Sequence, residues 1–291
     1  MPRSRSGRYG ELLSNIHQIV FGANSNRIGA LTAANDVVTY NLQTSNGKTI
    51  TPKHPAQAFV FSPDERLVII GNSAGEVEVW NAVSGEFINT PVTFSQHITT
   101  MAVFSNLLAV GTGSEVHILD INTLDEITQL KSINDHEHLT FSPDGSWLAS
   151  SSSTDPIQLW EQKDGKFSEP RIIDRENTAS LAFAPQNNVL AIGSADIVYL
   201  IDPATLKEYA RIPHIGTVSS ISFSPDGTTL LTASLKVVQF WAISKIPVIK
   251  EADLIQVACG RVIENFNEAQ WRLLFGTEKY TLLCPYLPVA P

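Results

Sequence analysis

Residues 71–75 read Gly-Asn-Ser-Ala-Gly, the G-x-S-x-G spelling that raises a serine nucleophile on a strand-to-helix turn in hydrolases. That chemistry needs a helix directly after the second glycine. Here "EVEVW" follows, and it alternates with the two-residue period of a strand. The expectation is a hairpin turn, with glycine supplying positive φ and Ser73 as a turn residue. A second constellation is "NDHEHL", where His136 and His138 could share one face of an extended segment as half of a metal site. His17, His54, His97 and His214 recur at comparable places along the chain, which favours a connector role. "GTGSEV" at 111–116 has two glycines but no third, and no helix follows, so it is not a phosphate or dinucleotide loop. No pair of acidic residues recurs in a pattern that suggests general acid–base work. The sequence therefore predicts no catalytic, cofactor-binding or metal-binding residue.

Cys259 and Cys284 are the two cysteines, and no C-x-x-C occurs. Without an export signal, two reduced thiols in a cytoplasmic protein are expected. No run of 18 apolar residues is present, so no membrane helix is predicted. Arg3, Arg5 and Arg8 form a small basic stub, expected to be solvated. The net charge of -9 and a pI of about 5.2 argue against a nucleic-acid binder, which would carry a basic face.

The elements that position these residues follow from a repeat. "FSPD" occurs at 61–64, 141–144 and 223–226, with "FAPQ" at 183–186 and weaker copies at 21–24 and 104–107. The phenylalanines Phe21, Phe61, Phe104, Phe141, Phe183 and Phe223 are spaced by 37 to 43 residues. A second landmark, a strand ending in a large residue, falls at Tyr40, Trp80, Leu119, Trp160, Leu200 and Trp241, spaced by 39 to 41. Unit two divides into "AQAFVF", a "SPDERL" turn, the apolar run "LVIIG", the turn containing Ser73, "EVEVW", another turn and a more polar strand, "FINTPVTF". Four strands per period of about forty residues is one blade of a β-propeller, and stacking blades in a ring buries both faces of each.

These units resemble WD40 repeats, from about residue 8 to residue 250. Carried over residue by residue, the resemblance implies a structural network of His214, Thr232 and Trp241 in unit six, with Leu235 where the family has an aspartate. It implies core roles for Trp80 and Trp160. Other units lack two or more members of the network, and none ends in Trp-Asp. The fold expected is all-β, a propeller of four-stranded blades over 8–250. Six repeats are visible and six blades are favoured; a seven-bladed ring would need a further unit. Residues 6–14, "SGRYGELLS", resemble the outer strand of unit two and could complete the last blade as a clasp.

From 251 to 291 the pattern changes. "EADLIQVACGRVI" has helical spacing, and "NFNEAQWRLLFG" reads as a second helix with Asn267 as N-cap and Gly276 at C′. Trp271 is expected to pack on the propeller. This extension resembles the end of large bacterial signalling proteins in which a WD40 propeller follows a NACHT-type or AP-type ATPase or an effector. The matching residues are Cys259, Asn265, Phe266, Asn267, Trp271, Gly276, Tyr280, Cys284, Pro285, Leu287 and Pro288. The resemblance implies a sensor region, either a fragment or a separate subunit, with an ATPase or effector on the same or another chain.

The functional expectation is a non-enzymatic scaffold that binds a protein or peptide partner through blade connectors. The candidate residues are Asn35, Asp36, Asn72, Ser114, Asp155, Asp196 and Lys236 in the turns after second strands, with His97, His136, Glu137 and Arg175 between blades. The alternative is a hydrolase or lactonase with a site in the channel, but the inner strands "QIVF", "AFVF", "TMAVF", "HLTF", "SLAF" and "SISF" are mostly apolar.

Overall fold

The structure is a computed structural model, and it describes residues 15–243 except 24, 25, 133–135, 176 and 187. The expected extension at 251–291, with Trp271, and the expected clasp at 6–14 lie outside the described residues. Among the described residues the elements are all strands, arranged as six sheets in chain order, a six-bladed β-propeller. Sheet 1 contains β1 (Ile16–Phe21), β2 (Arg27–Thr32), β3 (Val37–Asn41) and β4 (Asn46–Ile50). Sheet 2 contains β5 (Ala56–Phe61), β6 (Leu67–Asn72), β7 (Glu76–Asn81) and β8 (Phe87–Thr93). Sheet 3 contains β9 (Ile98–Phe104), β10 (Leu107–Thr112), β11 (Glu115–Asp120) and β12 (Glu126–Lys131).

Sheet 4 contains β13 (His138–Phe141), β14 (Trp147–Ser151) and β15 (Ile157–Lys163), whose outer edge pairs with two short strands, β16 (Lys166–Phe167) and β17 (Arg171–Ile173). Sheet 5 contains β18 (Thr178–Phe183), β19 (Leu190–Ser194), β20 (Ile197–Ile201) and β21 (Glu208–Pro213). Sheet 6 contains β22 (Ser220–Phe223), β23 (Thr229–Ala233) and β24 (Val238–Ala242). Within each sheet every strand pairs antiparallel with the one before it, apart from the split edge of sheet 4.

The second strands explain why the sheets stack. β6 and β10 are apolar along most of their length, and their hydrophobic residues are buried on both faces, apart from half-buried Leu67 and Leu107 at their starts. One face of β6 packs back on sheet 1 with Phe59 and Phe61, and the other packs forward on Ile98 and Met101 of sheet 3. Comparable clusters join sheet 3 to sheet 4 and sheet 4 to sheet 5. The approach is close where glycine sits in the second strand. A Cβ on Gly71 would lie 2.5 Å from Ile98 Cγ2, and one on Gly193 would lie 2.7 Å from Val218 Cγ1.

The Ser-Pro-Asp turns between first and second strands share one geometry. Ser62 Oγ donates to Asp64 Oδ1 (2.6 Å), Asp64 Oδ1 accepts from the Arg66 amide, and the Leu67 amide donates back to Ser62 Oγ. Ser142, Asp144, Ser146 and Trp147 repeat this, as do Ser224, Asp226, Thr228 and Thr229. The Ser62 hydroxyl and then the Arg66 amide hold Asp64 below its ordinary carboxyl range. The Ser224 hydroxyl and Thr228 do the same for Asp226. At Asp144 burial pushes upward, but hydrogen bonds from Ser146, Asn188 and Ser142 outweigh it and hold the carboxyl well below the usual range.

Candidate functional site

Ser73 occupies the turn between β6 and β7, exposed, with its amide donating to Pro55 O at 2.9 Å. Gly75 has φ of +80°, which only glycine adopts cheaply, and a Cβ there would strike the carbonyl oxygens of Phe94 and Gln96. The G-x-S-x-G letters thus spell a β-hairpin turn, with a strand on each side where a nucleophile elbow has a helix.

The turns after second strands line one end of the ring, beside the starts of the first strands, because successive strands are antiparallel. Asn35, Ser114, Asp196 and Lys236 are exposed there, as is His97 in the connector before β9. Asp36 and Asp155 are half-buried, and Asp155 accepts from Ser152 Oγ (3.0 Å) and Thr154 Oγ1 (2.9 Å). Glu137 is exposed, but its carboxylate accepts from the amide and hydroxyl of Ser153.

Three of the candidate residues make contacts within the fold. Asn72 is fully buried. Its amide donates to Glu78 Oε1 (2.8 Å) and Glu76 Oε2 (3.0 Å), and its carbonyl caps the amides of Ala74 and Glu76. A buried carboxylate at Glu78 needs such donors, and Trp80 Nε1 supplies another at 3.0 Å. His136 is buried, with Nδ1 hydrogen-bonded to Ser150 Oγ, so the connector histidine ties sheet 4 to its own second strand. Arg175 is half-buried. It stacks over Tyr199 at 4.4 Å and pairs with Glu208 at 3.2 Å, while Arg211 covers the same ring at 5.5 Å. Nothing in the local sequence around 175 announces this bracket, since Tyr199 and Glu208 come from sheet 5.

The network expected in unit six is half assembled. Trp241 Nε1 donates to Thr232 Oγ1 at 3.0 Å, and Thr232 is fully buried. His214 is buried with Nδ1 at 3.0 Å from Gly216 O rather than linked to Thr232. Trp160 is fully buried, whereas Trp80 is half-buried against Phe87. Burial pushes the His138 imidazole below its usual pKa, against the pull of Glu137. Among the described residues no three of His, Cys, Asp and Glu converge as metal ligands.

At the opposite end of the ring a cavity of about 410 Å³ opens between the first strands of sheets 1 to 4. Its walls are the ends of those strands, with Phe21, Phe61, Phe104 and Phe141, and its rim includes Ala23, Pro63 and Ser105. These phenylalanines are the repeat landmarks themselves. Their spacing was visible in the sequence, but not that four of them would surround one opening.

The family model "WD domain, G-beta repeat" matches residues 127–156 and 207–242. Periodic tryptophan protein 2 of Arabidopsis thaliana is 26% identical over 193 residues, which is 62% of this chain and 21% of that protein. The chain thus spans about a fifth of the length of that relative. A chain in the crystal structure of the mitotic checkpoint complex superposes with a TM-score of 0.67 at 15% identity, covering 83% of this chain and 82% of that one, a likeness of fold. No helix among the described residues is long and apolar enough to cross a membrane. Repeat spacing, sheet order and these matches together make the chain a carrier of WD40 repeats on a six-bladed β-propeller.

Proposed function

We propose that this chain is a non-enzymatic interaction scaffold that holds a protein or peptide partner at the ends of its ring. The observation that carries the reading is the cavity of about 410 Å³ between the first strands of sheets 1 to 4, with Phe21 exposed beside it. A cavity with an exposed aromatic side chain at its edge suits one apolar anchor of an extended peptide, and such anchors supply most of the energy of an interface. The other end offers a polar surface at Asn35, Ser114, Asp196, Lys236 and His97, where a second partner surface can bind. The acidic balance of -9 disfavours a nucleic-acid backbone as the ligand. The likeness of residues 251–288 to the end of bacterial signalling proteins supports a narrower version. In it the chain is a cytoplasmic sensor that reports to an ATPase or effector on the same or another chain.

The test is quantitative proximity crosslinking of the full chain in its source cells. Ala23→Trp plugs the cavity rim without removing a core residue, and His97→Glu with Lys236→Glu recharges the other end. A polypeptide crosslinked stoichiometrically to the parent chain and lost with Ala23→Trp supports the reading. Partners indifferent to both changes, or turnover of an ester or lactone panel by the purified chain, sink it.

A further inference from the structure

The cavity opens at the end of the ring where first strands turn into second strands and third strands into outer strands. The turns at that end are acidic. Among the described residues, those from first to second strands carry Asp64, Glu65, Asp144 and Asp226 against Arg66. Those from third to outer strands carry Glu86, Asp125, Asp164 and Asp202 against Lys207. Eight acids less two bases leave a formal charge of -6 on these turns, out of -9 for the whole chain. Two of the acids stand beside the opening. Asp64 directly follows the rim residue Pro63, Asp144 lies three positions beyond the wall residue Phe141, and both are exposed. The turn serines keep Asp64 and Asp226 below the ordinary carboxyl range, and at Asp144 hydrogen bonds overcome burial to the same effect. Arg66 does not offset the opening's charge freely, since its Nε lies 3.7 Å from Asp64 Oδ2.

We infer that the occupant of this cavity is a basic peptide segment, with one apolar side chain inside and lysine or arginine on either side of it facing the acidic turns. The inference rests on the scaffold reading and narrows its partner. The cavity is the site, and the charge selects what enters it. Val60, Met101, Val103 and Leu139 are among its lining residues, which suits an aliphatic side chain with no polar atom to leave unpaired. The turns stand in water, so each ion pair formed there contributes little by itself. Their summed field acts at longer range. It draws a cationic segment toward the opening and turns an acidic one away, so it governs encounter and choice of partner more than depth of binding. The anchor then supplies affinity, and the charge supplies selectivity.

The test is calorimetric titration of the full 291-residue chain with three synthetic peptides, Lys-Lys-Leu-Lys-Lys, Glu-Glu-Leu-Glu-Glu and Lys-Lys-Ser-Lys-Lys. The lysine–leucine peptide is expected to bind 1:1, and its affinity to fall about tenfold between ~0.05 M and ~0.5 M salt, as exposed charges are screened. The other two should bind more weakly by about tenfold or more. Ala23→Trp should abolish the binding. Glu86→Gln with Asp164→Asn removes two exposed charges while keeping the shape of both side chains, and should weaken it by about threefold. A glutamate–leucine peptide that binds as tightly, or binding insensitive to salt and to the two neutralised acids, overturns the inference and leaves the scaffold reading standing. A lysine–serine peptide that binds as tightly, or binding that survives Ala23→Trp, also overturns it, because the cavity is then not the site. Failure of both leucine peptides to bind overturns it as well, and the scaffold reading falls with it only if crosslinked partners also ignore Ala23→Trp and the changes at the other end.

Discussion

Replacing Gly71 by alanine tests whether the sheets approach as closely as their packing demands. In a strand of ordinary φ the change would by itself stabilise by about 0.4–1 kcal/mol, because the unfolded chain loses freedom. Here the new Cβ would lie 2.5 Å from Ile98 Cγ2, 2.9 Å from Met101 Sδ and 3.0 Å from Ile98 Cβ. Ile98 is fully buried and Met101 nearly so, so neither can swing away into solvent. Overpacking of this kind costs about 1–3 kcal/mol. Set against the entropic gain, a net loss of about 1–2 kcal/mol is expected, read as a lower urea midpoint with an unchanged slope. Ile98→Ala alone should cost about 2–5 kcal/mol through its cavity. The decisive measurement is the double variant. If the methyl added at position 71 enters the space vacated at position 98, the two losses should fall short of their sum by about 1 kcal/mol or more. Strict additivity, or a Gly71→Ala protein as stable as the parent, refutes the close-approach argument.

Four further outcomes are expected. The depressed carboxyls of Asp64, Asp144 and Asp226 stabilise the fold fully above the unfolded carboxyl value near about 3.9, and that contribution is lost as pH falls through their folded values. The triple Asp→Asn variant should therefore show a flatter acid limb in pH-dependent denaturation, and an identical limb would count against the turn geometry. Thr232→Val leaves Trp241 Nε1 without its acceptor and should cost about 1 kcal/mol by urea titration, whereas no loss would show the network idle. Ser73→Ala should leave stability and any hydrolytic background unchanged, and covalent labelling of Ser73 by a phosphonate would contradict its place in a turn. Deleting residues 1–14 should reduce cooperative unfolding if they clasp the ring, and a shortened chain that behaves like the parent removes that idea.

The repeat made the sheets legible because both landmarks are local. A phenylalanine before a Ser-Pro-Asp turn and a large residue closing a strand are fixed by neighbours within a few positions. The turn at Gly71–Gly75 was legible for the same reason, since the strand alternation after it excludes a helix. What the sequence hides is set by neighbours brought close only by folding. Asn72 looks like any turn asparagine until Glu78, on the adjacent strand, draws its amide inward. Arg175 looks like a connector cation until Tyr199 and Glu208 bring it against sheet 5. Phe21 and Phe61 occupy equivalent places in their units, yet one is exposed and the other buried, because a side chain's burial depends on which sheet lies opposite. His136 could be read as ligand or connector, and nothing in its own stretch of sequence shows that Ser150 lies against its Nδ1.

The strictly sequential pairing of strands has a kinetic consequence. Each sheet gathers its hydrogen bonds from roughly forty contiguous residues, so little loop-closure entropy stands between the unfolded chain and a first formed sheet. Neighbouring sheets then add one at a time, as in a linear array. In such an array an inner member is held from two sides and a terminal member from one. Opening is therefore expected to begin at sheets 1 and 6 and travel inward, with sheets 3 and 4 the last to yield to a protease or to solvent exchange. The molecule would wear from its ends, like a stack of plates from which only the outermost can be lifted.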